Sequence, residues 1–442
     1  MKKFKIILVT FFLALLIVPI GCIKEYNDPS NVVTEQVASN IDALIGVCNG
    51  LQLRYTVGRQ SPLYQSFSSS GLVTFELRNI NIGNTDEQRL SEGLGSVVGS
   101  NAAVTQLWTQ SFIMIKEANI IIDNVGKVSS DATTKAVVQS YAHVFKALAI
   151  GTLANFFEKM PITIGSNQPF VTREEGLKAA VKLLEDAESV YNPISTSIPT
   201  SLSSRLTVST GFELKNTIVA LQARYNLMLK DYAKAKTAAD KVDLTKKSAF
   251  RFDAVNVNPI FNTAYSNKNV VEYTNKNFGL PVASAIDTAD KRLALYLNSA
   301  ASGTVNLGAG FFKSNTTDIP VYLPGEMSLI KAECLAQTDV AAAITEISNL
   351  IKKKAAADAW GVGADIAAGY AGAATKDAVL TEIYRQRCVE LSNSGMRLED
   401  SRRLGRPGPD AAASSRERNR NFFPYPQNER DNNTNTPTDP AL

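Results

Sequence analysis

Apolar residues recur three and four apart along much of the chain, and each such run marks one face of a helix. Val104, Leu107, Trp108, Ile115, Ala118, Ile122 and Val125 form one stripe. Val138, Tyr141, Phe145, Leu148 and Thr152 form a second, ending in Asn155-Phe156-Phe157 before Pro161. A third helix is predicted over residues 172–191, with Leu177, Val181, Leu184 and Ala187 on one side. A fourth carries Leu214, Ile218, Leu221, Tyr225 and Met228, and after a break at Lys230-Asp231 a shorter helix carries Tyr232, Ala235, Ala239 and Val242. The period is lost over residues 52–100 and 245–324, which are rich in Asn, Ser, Thr, Gly and aromatics, and again after Gly405, where Pro, Asn and Arg dominate. A Gly/Ala-rich link over residues 355–375 precedes the last helix.

The run Leu227-x-Leu229-Lys230-Asp231-Tyr232-x-x-Ala235 resembles the turn of a tetratricopeptide repeat, in which small residues on the second helix let the first pack closely. The same helix-turn-helix rhythm returns in Ala332, Leu335, Thr338-Asp339, Ala342, Ile344, Ile347 and Leu350. The expected fold is therefore mainly α. A tetratricopeptide-like helix-pair scaffold covers residues 101–244 and 325–400, with long irregular inserts over 52–100, 245–324 and 401–442. Inserts of that length are commonly functional, and loops on a rigid scaffold commonly carry binding residues.

The chain has 442 residues, 45% of them hydrophobic and 20% charged, which excludes a disordered chain. The net charge of +4 leans on Lys2, Lys3 and Lys5; without them 43 basic residues face 42 acidic ones, so nucleic-acid binding has no electrostatic footprint. Those lysines open a basic stretch that is followed by an apolar run from Ile6 to Val18, shorter than the roughly 20 residues of a membrane span. Gly21 then precedes Cys22. This is the order of an export signal over residues 1–21. Its end resembles a bacterial lipobox, with Pro19 where Leu is usual, so Cys22 is expected to carry lipid and residues 22–35 to form a tether.

A single histidine, His143, excludes motifs that need two, and no nucleophile, base and orienting group assemble around it. It shares a helix face with Gln139 and Lys146 and is expected to be partly solvated. Cys48, Cys334 and Cys388 show no C-x-x-C spacing; the last two sit among apolar helical residues, as small hydrophobes do. No spacing singles out a catalytic carboxylate pair. No catalytic residue, metal site or cofactor is expected. Sites for small polar ligands commonly set aromatic platforms beside amides and charges. Tyr64, Tyr265, Tyr273 and Tyr296, in the two inserts of that composition, are the candidate ligand contacts, while Trp108 falls on a core stripe.

Near the C-terminus, Ile383-Tyr384-Arg385-Gln386-Arg387-Cys388-Val389-Glu390-Leu391 is followed by Gly395-Met396-Arg397-Leu398-Glu399-Asp400-Ser401-Arg402-Arg403. This resembles the "E-R-R-x-E-L-x-x-E-G-x-R-x-x-D-L-R-R" run of the SusD/RagB family, with Glu390, Gly395, Arg397, Asp400, Arg402 and Arg403 on its positions. Phe423-Pro424-Tyr425-Pro426-Gln427-Asn428-Glu429 resembles that family's closing "P-I-P-x-x-E". Residues 141–161 and 326–336 resemble two of its helices. Ser394, Ser401 and Glu158 depart from the pattern. Arg397 and Arg402 are expected to clamp Glu390, Glu399 or Asp400 by bidentate pairing.

The resemblance implies a cell-surface lipoprotein of the outer membrane in a Bacteroidetes-type bacterium, held through its lipid anchor. It implies a partner, a SusC-like TonB-dependent transporter, to which captured oligosaccharide is passed for import. It implies a binding protein rather than an enzyme. Two other readings stand beside it: a RagB-like uptake lipoprotein that binds peptide, and a tetratricopeptide scaffold for envelope assembly.

Overall fold

Short polar side chains stand immediately before the apolar stripes and set where the helices begin. Asn101, Asp131, Asp231 and Asp339 each accept a backbone N–H from the first turn that follows, and Thr172 with Glu175 forms a full capping box. The computed structural model describes residues 40–194, 198–207, 210–266, 269–297 and 310–442. The leader, Cys22 and the tether lie outside the described residues.

The chain opens with α1 (Ile41–Thr56), α2 (Pro62–Val73), β1 (Leu77–Asn79) and α3 (Thr85–Glu92). The long helices α4 (Ala102–Asn124) and α5 (Ala132–Phe156) follow, then β2 (Lys159–Met160), β3 (Val171–Thr172) and α6 (Arg173–Tyr191). A short turn of helix, α7 (Thr200–Ser203), leads to α8 (Leu214–Met228) and α9 (Tyr232–Asp240). The central insert holds β4 (Ala249–Phe250), β5 (Val271–Tyr273), α10 (Lys291–Tyr296) and β6 (Ile319–Pro320). The chain closes with α11 (Pro324–Leu335), α12 (Val340–Lys352), α13 (Lys376–Glu390), α14 (Arg397–Arg403) and α15 (Gln427–Asn432).

Successive helices stack in a row: α4 on α5, α5 on α6, α6 on α8, α8 on α9, α9 on α11, and α11 on α12 and α13. This is helix-pair packing of the tetratricopeptide kind, in which each pair buries its apolar stripe against its neighbours. The fold class is mainly α, as the periodicity implies. Lys230, at φ +60°, makes the tight break between α8 and α9. Among the described residues three antiparallel sheets have two strands each: β1 with β5, β2 with β3, and β4 with β6. The first joins the N-terminal segment to the central insert, with Leu77 opposite Tyr273; the third closes the insert at its base.

Residues 52–100 are more regular than their pattern suggests. Ser61 caps α2, Pro62 occupies its first turn, and ten of its residues are buried, serines on several faces included. A helix buried nearly all round shows no amphipathic period, so the periodicity test misses it. His143 also departs from expectation: it is buried between α5 and α6, with Nδ1 3.3 Å from the Leu183 carbonyl. Cys48, Cys334 and Cys388 are buried free thiols.

The C-terminal motif is where the parts meet. Glu390, at the end of α13, is fully buried. Its Oε2 receives Arg292 Nη1 from α10 at 2.9 Å, and its Oε1 receives Lys353 Nζ at 3.1 Å. Arg292 also grips Asp290 at 2.7 and 3.0 Å, and Lys353 pairs with Asp358 at 2.6 Å. The Glu390 carbonyl accepts the Tyr296 hydroxyl at 3.0 Å. A Cβ at Gly325 of α11 would fall on the Glu390 carboxylate, so the first turn of α11 lies directly on it. Burial pulls the Lys353 ammonium toward neutrality, but Glu390 and Asp358 more than offset this and raise its pKa.

The turn after α13 extends this contact. Glu76, just before β1, accepts Ser392 Oγ at 2.9 Å and Asn393 N at 3.0 Å. Gly395 sits at φ +80°, where its missing side chain also lets Ser66 of α2 approach. Arg397 donates to the Phe278 carbonyl in the insert rather than to Glu390, Glu399 or Asp400. Of the expected clamp, only the Arg402 pairing forms, and it is through a single nitrogen rather than bidentate. Arg402 does pair with Glu399, at 2.8 Å, and Glu399 also takes Arg173 at 2.5 Å. Asp400 pairs with Arg387 and Arg403 at 2.9 and 2.7 Å. The closing segment docks through Glu429, which accepts Trp108 Nε1 at 3.1 Å inside a cage of Phe157, Phe170 and Tyr425.

Two measurements check this. Glu390→Ala leaves Arg292 and Lys353 buried without their shared partner, and chemical denaturation should show a loss of about 3–5 kcal/mol. For His143, burial lowers the folded imidazole pKa, so the unfolded chain takes up the proton first. Its contribution to stability is complete above the ordinary value of about 6.5 and is lost as the pH falls through the folded value. Stability measured from about pH 7 down to about pH 5 should fall less steeply in His143→Gln than in the parent protein.

Candidate ligand-binding surface

The four tyrosines put forward as sugar platforms all lie in the core. Tyr64 and Tyr273 are fully buried and Tyr265 and Tyr296 nearly so. Tyr265 stacks on Phe312 at 5.9 Å, Tyr64 packs on Phe67 at 5.8 Å, and Tyr296 stands edge-on to Phe278 and Phe311. The Tyr273 hydroxyl meets Ser392 Oγ at 2.8 Å and receives Asn393 Nδ2 at 2.7 Å. These rings pin the inserts to the scaffold. A residue count does not separate a ring that binds a loop to its support from one held out to a ligand. Trp108 is buried, as its place on the stripe implies.

What the inserts do expose together is a patch of amides. β1 runs into Asn79-Ile80-Asn81-Ile82-Gly83-Asn84, and β5 is preceded by Asn269. Pairing of β1 with β5 brings these two stretches side by side, and the Ile80 N–H continues the ladder to the Val270 carbonyl at 3.1 Å. Asn81 Nδ2 donates to Asn269 Oδ1 at 2.8 Å, and Asn84 Nδ2 donates to the Asn269 carbonyl at 2.7 Å. Asn79 Nδ2 reaches the Asn81 carbonyl at 2.8 Å and Gln88 Oε1 at 2.9 Å. Arg59, from the loop before α2, reaches Asn84 Oδ1 at 3.4 Å and pairs with Glu87.

The chemistry of this surface is defined. Side-chain amides both donate and accept, which suits a ligand rich in hydroxyl groups. Each amide here is already oriented by a neighbour, so little rotamer freedom is lost on binding. Ile80 and Ile82 supply apolar contact; Ile82 is 80% exposed, far beyond what a β-branched residue needs for packing. Arg59 and Arg78 are paired with Glu87 and Glu272, so their positive charges are balanced within the patch. Sequence reasoning looked for rings in this stretch and passed over the amides. The Asn-Ile alternation was the available signal. Among the described residues no cluster of three or more His, Cys, Asp or Glu is placed to hold a metal ion.

A row of helix pairs carrying a large non-repeat half, tied to it through one motif-bearing turn, defines the class of protein. The SusD family model matches residues 221–439, which hold the central insert, the buried Glu390 cluster and the closing segment. No curated protein matches the sequence. Solved structures match widely. A SusD superfamily protein from Bacteroides thetaiotaomicron shares 16% identity over 91% of this chain and 100% of that one, with a TM-score of 0.67. A SusD-like carbohydrate binding protein from Bacteroides vulgatus shares 14% over 83% of each chain, with a TM-score of 0.63. NanU of B. fragilis shares 14% over 93% of this chain and 99% of that one, with a TM-score of 0.64. At such identities the structures establish the shared fold. The chain belongs to the SusD family.

If the amide patch holds ligand, Asn81→Ala together with Asn269→Ala should weaken glycan binding by about tenfold or more, each lost hydrogen bond costing about 0.5–1.5 kcal/mol. The melting temperature should stay near that of the parent. Calorimetric titration with a glycan panel checks the first, and a thermal melt of both proteins checks the second.

Proposed function

We propose that this protein is a lipid-anchored outer-membrane protein facing the cell exterior, which captures oligosaccharide and passes it to a SusC-like TonB-dependent transporter. The observation that carries this reading is the SusD family match over the half of the chain that holds the insert and the motif turn. Three features support it. The chain opens with a basic stretch, an apolar run and Gly21-Cys22, the order of an export signal that ends in a lipidated cysteine, and several acyl chains at about 0.8 kcal/mol per buried CH₂ hold a protein on a membrane stably. No helix among the described residues is long and apolar enough to cross a membrane, which fits attachment by lipid. The amide patch suits a hydroxyl-rich ligand, and a structural neighbour is described as carbohydrate binding.

On this reading the protein works by capture and transfer, without covalent chemistry. The inserts form a surface whose polar groups are set before ligand arrives, so binding energy is not spent on ordering them. The helix row supplies the rigid body on which a partner barrel can close. A binding step of this kind needs neither cofactor nor metal.

The test is affinity purification of the tagged lipoprotein from native membranes in mild detergent, followed by mass spectrometry. A TonB-dependent barrel should co-purify. Cys22→Ala should release the protein from the membrane and fail to restore glycan uptake to a deletion strain. Unchanged uptake in the deletion strain, or purification with soluble envelope proteins alone, would contradict the proposal.

A further inference from the structure

The Gly/Ala-rich link between α12 and α13 does more than connect them. It folds back as one wall of a groove of about 420 Å³, whose other walls are the segment before α10 and the exposed side of α13. That volume lies in the range of small-ligand pockets, and the groove shares no residue with the amide patch.

Two of its features are built rather than incidental. The first is the ring of Tyr370, half-buried and pinned at both ends. Its backbone N–H donates to Ser348 Oγ at 3.2 Å, and its hydroxyl donates to the Ala373 carbonyl at 2.9 Å. A Cβ on Gly372 would collide with the ring, so glycine at that position is what allows it to lie where it does. The ring packs in part against the core between α11, α12 and α13, and its exposed neighbours are alanine and glycine, so the rest of it lines the groove. The second feature is a planar fork. Arg385 pairs with Glu382 through two bonds of 2.9 and 2.7 Å. The fork is held in place by Gln386, which donates to Glu382 Oε1 at 2.7 Å, and by the Ala285 carbonyl, which accepts Arg385 Nη1 at 3.0 Å.

We infer that this groove is a second binding site, which takes a neutral saccharide. A fixed ring lining the groove matches the apolar C–H face of a pyranose. A carboxylate beside a guanidinium accepts from and donates to neighbouring hydroxyls. The charges balance, which favours a neutral ligand: Asp287, Asp290 and Glu382 line the groove with Arg385, Arg292 is bound behind Asp290, and Lys352 lies against Gly369. The site stands apart from the surface assigned above and does not depend on that assignment.

The experiment is hydrogen exchange and calorimetric titration of the detergent-solubilised full chain. The probes are neutral hexasaccharides of α-linked glucose, β-linked glucose, mannose and xylose, with hexagalacturonate and hexalysine as charged controls. A neutral probe should protect residues 366–373 and the exposed side of α13. Tyr370→Ala should weaken that binding about tenfold or more, while Tyr370→Phe, which keeps the ring, retains most of it. Gly372→Val, which displaces the ring without removing it, should act like Tyr370→Ala. Asn81→Ala with Asn269→Ala should leave this protection intact. The inference is overturned if no neutral probe protects the segment, if protection survives Tyr370→Ala and Gly372→Val, or if a charged control binds there instead.

Discussion

One buried carboxylate decides how the protein is put together. Glu390 ends the last long helix, yet its charge is answered from two places distant in sequence, Arg292 in the central insert and Lys353 at the end of α12. Neither charge has water to fall back on, because the Arg292 and Glu390 side chains are wholly buried. A buried ion pair adds little stability compared with a well-packed apolar pair, but breaking it strands a charge and is costly. Such an arrangement chooses between structures more than it strengthens one. An insert docked in any other register would leave Arg292 with Asp290 but without Glu390 and Gln386.

The neighbouring turn ties in a second buried carboxylate, Glu76, through hydrogen bonds. Glu76, Ser392, Tyr273 and Asn393 are hydrogen-bonded to one another inside the protein, so the N-terminal segment, the insert and the motif turn are joined in a single network. β1 and β5 pair at its edge, and the amide patch is the solvent-facing continuation of that pairing. The surface proposed to hold sugar is therefore only a few residues removed from the cluster that orders the insert. The inner network fixes the strand pair that carries the outer amides.

Much of the scaffold is legible in the sequence, because its helices are amphipathic and their caps are short polar residues at the expected places. α4, α5, α6, α8 and α9 follow the stripes closely, and Thr338-Asp339 marks the turn of the second repeat. α2 is hidden because it is buried on nearly every side and carries serines where a stripe would carry leucines. The motif turn is visible through its family resemblance, but its partners are not. Nothing local says that Glu390 meets Arg292 or that Arg397 meets Phe278, since those contacts span about a hundred residues or more. The tyrosines mislead for a related reason. Inserts without a period still need a core, and their rings were spent on it. What remained for the surface was asparagine, isoleucine and a fork of opposite charges.

The claim that Glu390 holds the insert in place is tested most directly by hydrogen exchange on Glu390→Gln, which keeps the shape of the side chain and removes its charge. Exchange should quicken in β1, β5 and α10, while α4, α5 and α6 keep the rates of the parent protein. Unchanged protection in β5 and α10, or equal loosening of every helix, would contradict the account.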